Sequence, residues 1–295
     1  MDKLEAFLSR AEQLLARLEP LLPPAVPEPD WSAHAFRWRR QGLAGWLEAV
    51  RSPHTIRLSS LTRVDHPKRE LIRNTRQFLA GRPYNNVLLT GSRGTGKSSL
   101  VKALLAEFAG EGLRLIEVDK GHLVDLPLIV DAVRERPERF ILFCDDLSFE
   151  DGEDAYKALK TALDGGIAAQ CDNLLVMATS NRRHLLPEKM SENLASQNVD
   201  GEIHPGEAIE EKVSLSDRFG LWLTFYPFDQ GAYLDAVAAW LAHYGLAMDE
   251  GAERAALQWA LTRGARSGRV AYQFARDWAG RDEAERKPLI PGAEA

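Results

Sequence analysis

Nine consecutive residues, Gly91-Ser-Arg-Gly-Thr-Gly-Lys-Ser-Ser99, have the types and spacing to hold a chain of phosphates. They satisfy the pattern G-x-x-x-x-G-K-[ST], with Gly91, Gly96, Lys97 and Ser98 at its fixed positions. Glycines let several backbone N–H groups turn into one concavity, and a following helix adds the positive end of its dipole. Ser92, Arg93, Gly94, Thr95 and Ser99 complete that lining. Lys97 is expected to reach the β- and γ-phosphates of a nucleotide, and the Ser98 hydroxyl to ligate Mg²⁺.

Further along, Phe140-Ile-Leu-Phe-Cys-Asp-Asp146 is an apolar run that ends in two carboxylates. A carboxylate at the end of a buried strand beside such a loop can hold Mg²⁺ through water, a role that falls to Asp145. Its neighbour Asp146 stands where a carboxylate would polarise an attacking water. Asn181, at the polar tip of Asn173–Asn181, can orient that water or the γ-phosphate through its amide. Arg218, in Ser214-Leu-Ser-Asp-Arg-Phe219, is a candidate cation for the charge that develops on the transferred phosphoryl group, in competition with a salt bridge to Asp217 or Glu211. Arg269 is the candidate to reach over the nucleotide from the C-terminal region, with Arg266 as its competitor.

The elements that must position these residues are legible from periodicity. Asn86–Thr90 is a buried-strand run, and Ser99–Phe108 places Leu100, Ala103, Leu104 and Phe108 at helical spacing. Further strands are read at 112–119, 140–146, 173–181 and 221–225, with helices at 123–136 and 154–163 between them and one ending at Leu79 before the loop. Alternating strands and helices predict an α/β fold with a five-stranded parallel sheet covered on both faces. From Asp229 the pattern is wholly helical, at 229–244, 249–263 and 267–279, which predicts a small helical lid.

The resulting division is an amphipathic helix at 1–19, a Pro-rich linker at 20–30, an aromatic and basic pre-domain segment at 31–55, a nucleotide-binding domain at 56–228, the lid at 229–280 and a tail at 281–295. The first helix carries Leu4, Leu8, Ala11, Leu15 and Leu18 in one stripe, widened by Phe7 and Leu14. It reads equally as an interaction arm or as a helix packed on its own domain. Trp31–Arg40 interleaves aromatics with arginines, a composition that suits cation–π packing and, second, stacking on single-stranded nucleic acid. Residues 187–212 lack periodicity and read as a mobile loop.

Composition narrows the classes. The 295 residues are 45% hydrophobic and 27% charged, as in an ordinary globular protein, and no apolar run approaches the ~20 residues of a membrane span. Two cysteines, Cys144 and Cys171, are too few for a disulfide framework, and the N-terminus has no signal-peptide core, so a cytoplasmic location is expected. The net charge of −6 does not advertise nucleic-acid binding over the surface as a whole.

Taken in order, these motifs resemble those of an AAA+ P-loop ATPase over roughly residues 56–280. Arg93-Gly-Thr-Gly-Lys-Ser-Ser99, Phe143-Cys-Asp-Asp-Leu-Ser-Phe-Glu150, Ala178-Thr-Ser-Asn-Arg-Arg-His184 and Leu215-Ser-Asp-Arg-Phe-Gly-Leu-Trp222 look like a bacterial AAA+-like ATP-binding family classed as a domain of unknown function. The resemblance implies Gly91–Ser98 as Walker A, Asp145–Asp146 as Walker B, Asn181 as sensor 1, Arg218 as an arginine finger acting in trans and Arg269 as sensor 2. It also implies that Val64 and Asp65 pack the adenine, and that ATP and Mg²⁺ are the ligands. Self-association into a ring or filament and an unknown protein client follow from the same likeness.

Two departures stand out. Most such proteins end Walker B in Asp-Glu, whereas this chain has Asp145-Asp146, which is one methylene shorter. A misplaced base costs on the order of 100-fold, so slow turnover is expected, with Glu150 as a possible substitute in the following loop. The stretch Lys120–Pro127 has no aromatic pore-loop residue, which disfavours a threading motor. A nucleic-acid loader, a small-molecule phosphotransferase and a non-hydrolysing ATP switch remain as alternative readings.

Overall fold

The structure is a computed structural model, and it describes residues 2–18, 26–53, 56–149, 154–164, 171–182, 185, 197–199, 202–204 and 215–286. In chain order the elements are α1 (Asp2–Leu18), β1 (Ala35–Gln41), β2 (Ala44–Ala49), α2 (Asp65–Leu79), β3 (Val87–Gly91), α3 (Lys97–Phe108), β4 (Leu113–Glu117), α4 (Leu126–Val133), β5 (Arg139–Cys144), α5 (Asp154–Asp164) and β6 (Leu174–Ser180). They are followed by β7 (Gln197–Val199), β8 (Glu202–His204), β9 (Leu221–Phe225), α6 (Gln230–His243), α7 (Glu250–Arg263) and α8 (Gly268–Gly280).

The main sheet has seven strands in the order β2-β1-β4-β5-β6-β3-β9. The five expected strands form its parallel part, β4-β5-β6-β3-β9. The expected number of five is therefore corrected to seven. The two additional strands come from the segment read as preceding the domain: β1 pairs in parallel with β4, and β2 folds back antiparallel on β1. The physical reason lies in the alternation of Phe36, Arg37, Trp38 and Arg39. Its period of two sends Phe36 and Trp38 inward, at 1% and 2% exposure, and its arginines outward.

Alternation also divides the core. Phe140, Leu142 and Cys144 of β5 face α4 and α5 together with Trp38, Ile129 and Leu159. Ile141 and Phe143 of the same strand face α2 and α3 with Phe78, Leu100 and Leu104. The lid has its own core, built on Tyr233, Val237, Ala256, Phe274 and Trp278, and the Tyr233 hydroxyl donates to the Ala256 carbonyl at 2.9 Å. Its three helices are each N-capped by a side chain, from Asp229, Asp249 and Ser267 respectively.

Of the 187–212 stretch, the described residues form a short antiparallel hairpin, β7 with β8, where an irregular loop was expected; the rest lies outside the described residues. So do residues 19–25 of the Pro-rich linker and Glu150. No helix among the described residues is long and apolar enough to cross a membrane.

Candidate nucleotide site

The glycine loop joins β3 to α3 at the carboxyl edge of the sheet, the edge where open α/β folds bind ligands. Gly91, Gly94 and Gly96 all have positive φ, at 125°, 73° and 100°. At Gly91 a side chain is excluded outright, because a Cβ there would lie 1.9 Å from the Phe225 carbonyl oxygen on β9. Thr95 donates its hydroxyl to the Ser92 carbonyl at 2.8 Å, which braces the loop from within.

Lys97 begins α3 and is 6% exposed. Its ammonium donates to the carbonyls of Gly91 at 2.6 Å and Ser92 at 2.7 Å, and to Asn181 Oδ1 at 3.0 Å. Burial lowers its pKa; the carboxylates of Asp146 and Asp145 oppose that shift, and the guanidinium groups of Arg269 and Arg93 add to it. A phosphate would add negative charge beside this buried cation.

The two carboxylates follow β5. Asp145 Oδ1 accepts from Ser98 Oγ at 2.6 Å and from Thr179 Oγ1 at 2.6 Å. Asp146 sits in the left-handed region at φ 51°, which aspartate tolerates better than most residues. Its backbone N–H donates to Thr179 Oγ1 at 2.9 Å, and its Oδ1 accepts from the Asn181 amide. Leu147 N–H then donates to the Thr179 carbonyl at 2.7 Å. Thr179 thus fixes three successive residues after β5. It is 1% exposed, and the sequence reading assigned it no role. Its signal is a hydroxyl two residues before Asn181, where the apolar run of β6 gives way to Thr179-Ser180.

The lid closes over this edge. The Arg269 N–H donates to the Gly94 carbonyl at 3.3 Å, and a Cβ on Gly94 would meet Ser267 Oγ at 2.8 Å. Arg269 therefore stands beside the loop, and its charge adds to the lowering of the Lys97 pKa. A second tie runs from Arg63 Nε to Asp235 of α6 at 2.7 Å. Next to it Val64 is buried in the cluster that includes Leu100, Val101 and Phe225, while Asp65 is exposed.

Arg218 stands apart from this cluster. Its guanidinium pairs with Asp164 at the end of α5; Glu211, one of the two partners the sequence suggested, lies outside the described residues. Trp38 is likewise unavailable for stacking on bases, because its indole N–H donates to Asp125 at 3.0 Å inside the core. Trp31 packs edge-on to Phe140 with the Arg136 guanidinium 4.5 Å from its ring centroid. The segment is thus used internally: Trp31 takes a cation–π contact, and Arg37, Arg39 and Arg40 pair with Glu117, Glu48 and Asp125.

Ser98 Oγ and Asp145 Oδ1 are hard oxygen donors in mutual contact. They fit Mg²⁺, which takes one or two protein ligands and fills its remaining positions with water and phosphate oxygens. Among the described residues no cluster of three or more histidine, cysteine or carboxylate side chains offers an all-protein metal cage.

No curated protein matches the chain. Among solved structures it resembles the Thermotoga maritima RuvB Holliday junction branch migration motor, with 16% identity, 80% of this chain and 68% of that one covered, and a TM-score of 0.50. It also resembles the Aeropyrum pernix Orc1 protein in complex with DNA, with 15% identity, 78% and 62% coverage and a TM-score of 0.51. These likenesses establish an AAA+ P-loop fold. Residues 31–282 match a family described as "Protein of unknown function (DUF815)", a span that begins just before β1 and ends just after α8. The chain belongs to that family, and it carries the AAA+ fold with two additional strands at one edge of the sheet.

Proposed function

We propose that the protein binds MgATP between the glycine loop and the helical lid, hydrolyses it slowly, and uses the cycle to change the posture of the lid toward a protein client. The observation that carries this reading is the convergence of Lys97, Ser98, Asp145, Asp146 and Asn181 on one edge of the sheet. The backbone N–H groups of Gly94–Ser98 and the start of α3 would cradle the β-phosphate, and Lys97 would exchange its carbonyl partners for phosphate oxygens. Ser98 and Asp145 would hold Mg²⁺, which neutralises phosphate charge when bound. Asp146 would take the proton of the attacking water, with Asn181 holding that carboxylate in place.

Arg218 is proposed to act in trans on a neighbour's nucleotide. A site completed by a neighbour requires a head-to-tail interface, which closes as a ring or extends as a filament. The ion pair with Asp164 then serves to orient Arg218 toward that neighbour.

The test is ATP binding and turnover per subunit against protein concentration, with Lys97→Ala and Asp146→Asn beside the wild type. Binding lost in Lys97→Ala, and turnover that rises with concentration and is lost in Asp146→Asn, is the expected result. Failure of the wild type to bind ATP overturns the reading. Binding without turnover at any concentration would make the protein an ATP-dependent switch. Mixing Arg218→Ala with Lys97→Ala subunits should restore turnover, since one intact site can form between them; no recovery removes the trans arrangement.

A further inference from the structure

We propose that α1 is a self-association element that packs parallel, and in register, against α1 of a second copy of this chain. Much of the apolar stripe of α1 is open to solvent. Leu4, Phe7, Leu8 and Leu14 are 65, 67, 52 and 54% exposed, whereas the apolar faces of the sheet-covering helices are buried. A 17-residue helix of about 25 Å that leaves so much apolar surface in water needs a cover.

The charges beside the stripe say which cover fits. At 100° per residue, Leu4, Phe7, Leu8, Ala11 and Leu14 lie within one third of the helix circumference. Arg10 and Arg17, seven residues apart, border this stripe on the Phe7–Leu14 side. Glu5 and Glu12, also seven residues apart, border it on the Leu8 side. One edge is therefore basic and the other acidic.

A two-fold axis parallel to the helices sets the basic edge of each copy against the acidic edge of the other, with Arg10 facing Glu12 of the second copy. A two-fold axis perpendicular to the helices sets arginine against arginine and glutamate against glutamate. Flanking charges of this kind select partner and orientation in helical zippers, and here they select a parallel copy of the same helix. The Pro-rich stretch 19–30 separates α1 from β1 in sequence, so the pairing needs neither ATP nor Arg218. It is distinct from the nucleotide-dependent contact proposed above.

Sedimentation velocity on the full chain without nucleotide, in the Arg218→Ala background, tests the proposal. The average mass should rise above that of the monomer over a range of concentration on the order of 100-fold. The double variant Leu8→Glu/Leu14→Glu should stay monomeric with an unchanged thermal transition, because these side chains lie outside the core. Arg10→Glu/Arg17→Glu and Glu5→Arg/Glu12→Arg should each associate about tenfold more weakly alone, and should recover when mixed. Leu4→Cys should form an intermolecular disulfide on mild oxidation, since only a parallel register brings the two Leu4 positions together.

A wild type that stays monomeric throughout overturns the proposal. So does a mixture of the charge-swapped chains that fails to associate, or a Leu4→Cys chain that does not cross-link. Flotation of the chain on anionic phospholipid vesicles, lost in Leu8→Glu/Leu14→Glu while the mass of the free chain is unaffected by that change, would assign the helix to a lipid surface instead.

Discussion

Thr179 Oγ1 donates to Asp145 Oδ1 at 2.6 Å and accepts from the backbone N–H of Asp146 at 2.9 Å, so one hydroxyl ties the Asp145 carboxylate to the backbone that carries Asp146. Thr179→Val keeps the shape of the side chain and removes that hydroxyl. Asp145 Oδ1 keeps the Ser98 hydroxyl and the Asp146 N–H keeps Asp145 Oδ1 at 3.2 Å, so the loss in urea unfolding should be only about 0.5–1.5 kcal/mol. Turnover should fall about tenfold or more, because Asp146 loses its anchor. Thr179→Ser should restore both, which separates loss of the hydrogen bonds from loss of packing.

Gly94 couples the phosphate loop to the lid. In Gly94→Ala the new methyl meets Ser267 Oγ at 2.8 Å and Arg269 Cβ at 3.2 Å, on a backbone at φ 73°. Strain of about 1–3 kcal/mol is expected there, and with it ATP binding about 10- to 100-fold weaker in a titration with a fluorescent analogue. Protease cleavage between β9 and α6 should quicken as the lid is pushed off the loop. Gly264→Ala, whose Cβ would meet nothing, serves as the control for strain without collision.

Asp125 joins the additional strands to the body. It is 6% exposed and accepts from the Trp38 indole at 3.0 Å and from the Arg40 guanidinium at 2.7 Å. Asp125→Ala removes the partner of a buried donor and of a half-buried cation, so about 2–4 kcal/mol of stability should be lost in chemical unfolding. ATP affinity should hardly move, because this network lies on β1 and the turn before α4. A large loss of affinity at unchanged stability would contradict that separation.

The Cys144 thiol is pushed up to about 12 by complete burial at the end of β5. The unfolded thiol ionises near its ordinary value of about 8.5, so above that pH the unfolded state has lost a proton that the folded state keeps. Stability is therefore whole below the unfolded pKa and falls as pH rises toward the folded one. In urea unfolding between about pH 8 and 11, wild type should lose stability relative to Cys144→Ala, with no difference in slope below that window. Iodoacetamide should reach Cys144 only when the chain unfolds.

The parts of this molecule that announced themselves in sequence are those whose physics is local. The glycine loop, the apolar run into Asp145 and the Ser-Asn tip after β6 each need specific residues at adjacent positions, and β3, β5 and β6 are nearly continuous apolar runs because both their faces are covered. β1 was harder to see because its alternation of Phe36 and Trp38 with Arg37 and Arg39 is also the composition of a stacking surface. Only the pairing with Leu115–Glu117 distinguishes the two. The Arg218–Asp164 pair and the meeting of Gly94 with Ser267 depend on chain segments far apart in sequence, and no local pattern encodes them. Thr179 is harder to assign because its hydroxyl acts on residues of another strand, the Asp145 carboxylate and the Asp146 N–H, which only the pairing of β5 with β6 brings to it.

The register of Gly91 against Phe225 has a mechanical consequence. Phe225 ends β9, four residues run on to Gln230 at the start of α6, and the far end of the same lid returns to touch Gly94 through Arg269. The phosphate loop and the lid thus make a closed circuit, welded at one end by a backbone contact too tight for any methyl group and latched at the other by a single 3.3 Å hydrogen bond. A displaced loop would load this latch together with the Arg63–Asp235 tie, and a lid that yielded there would turn about 226–229.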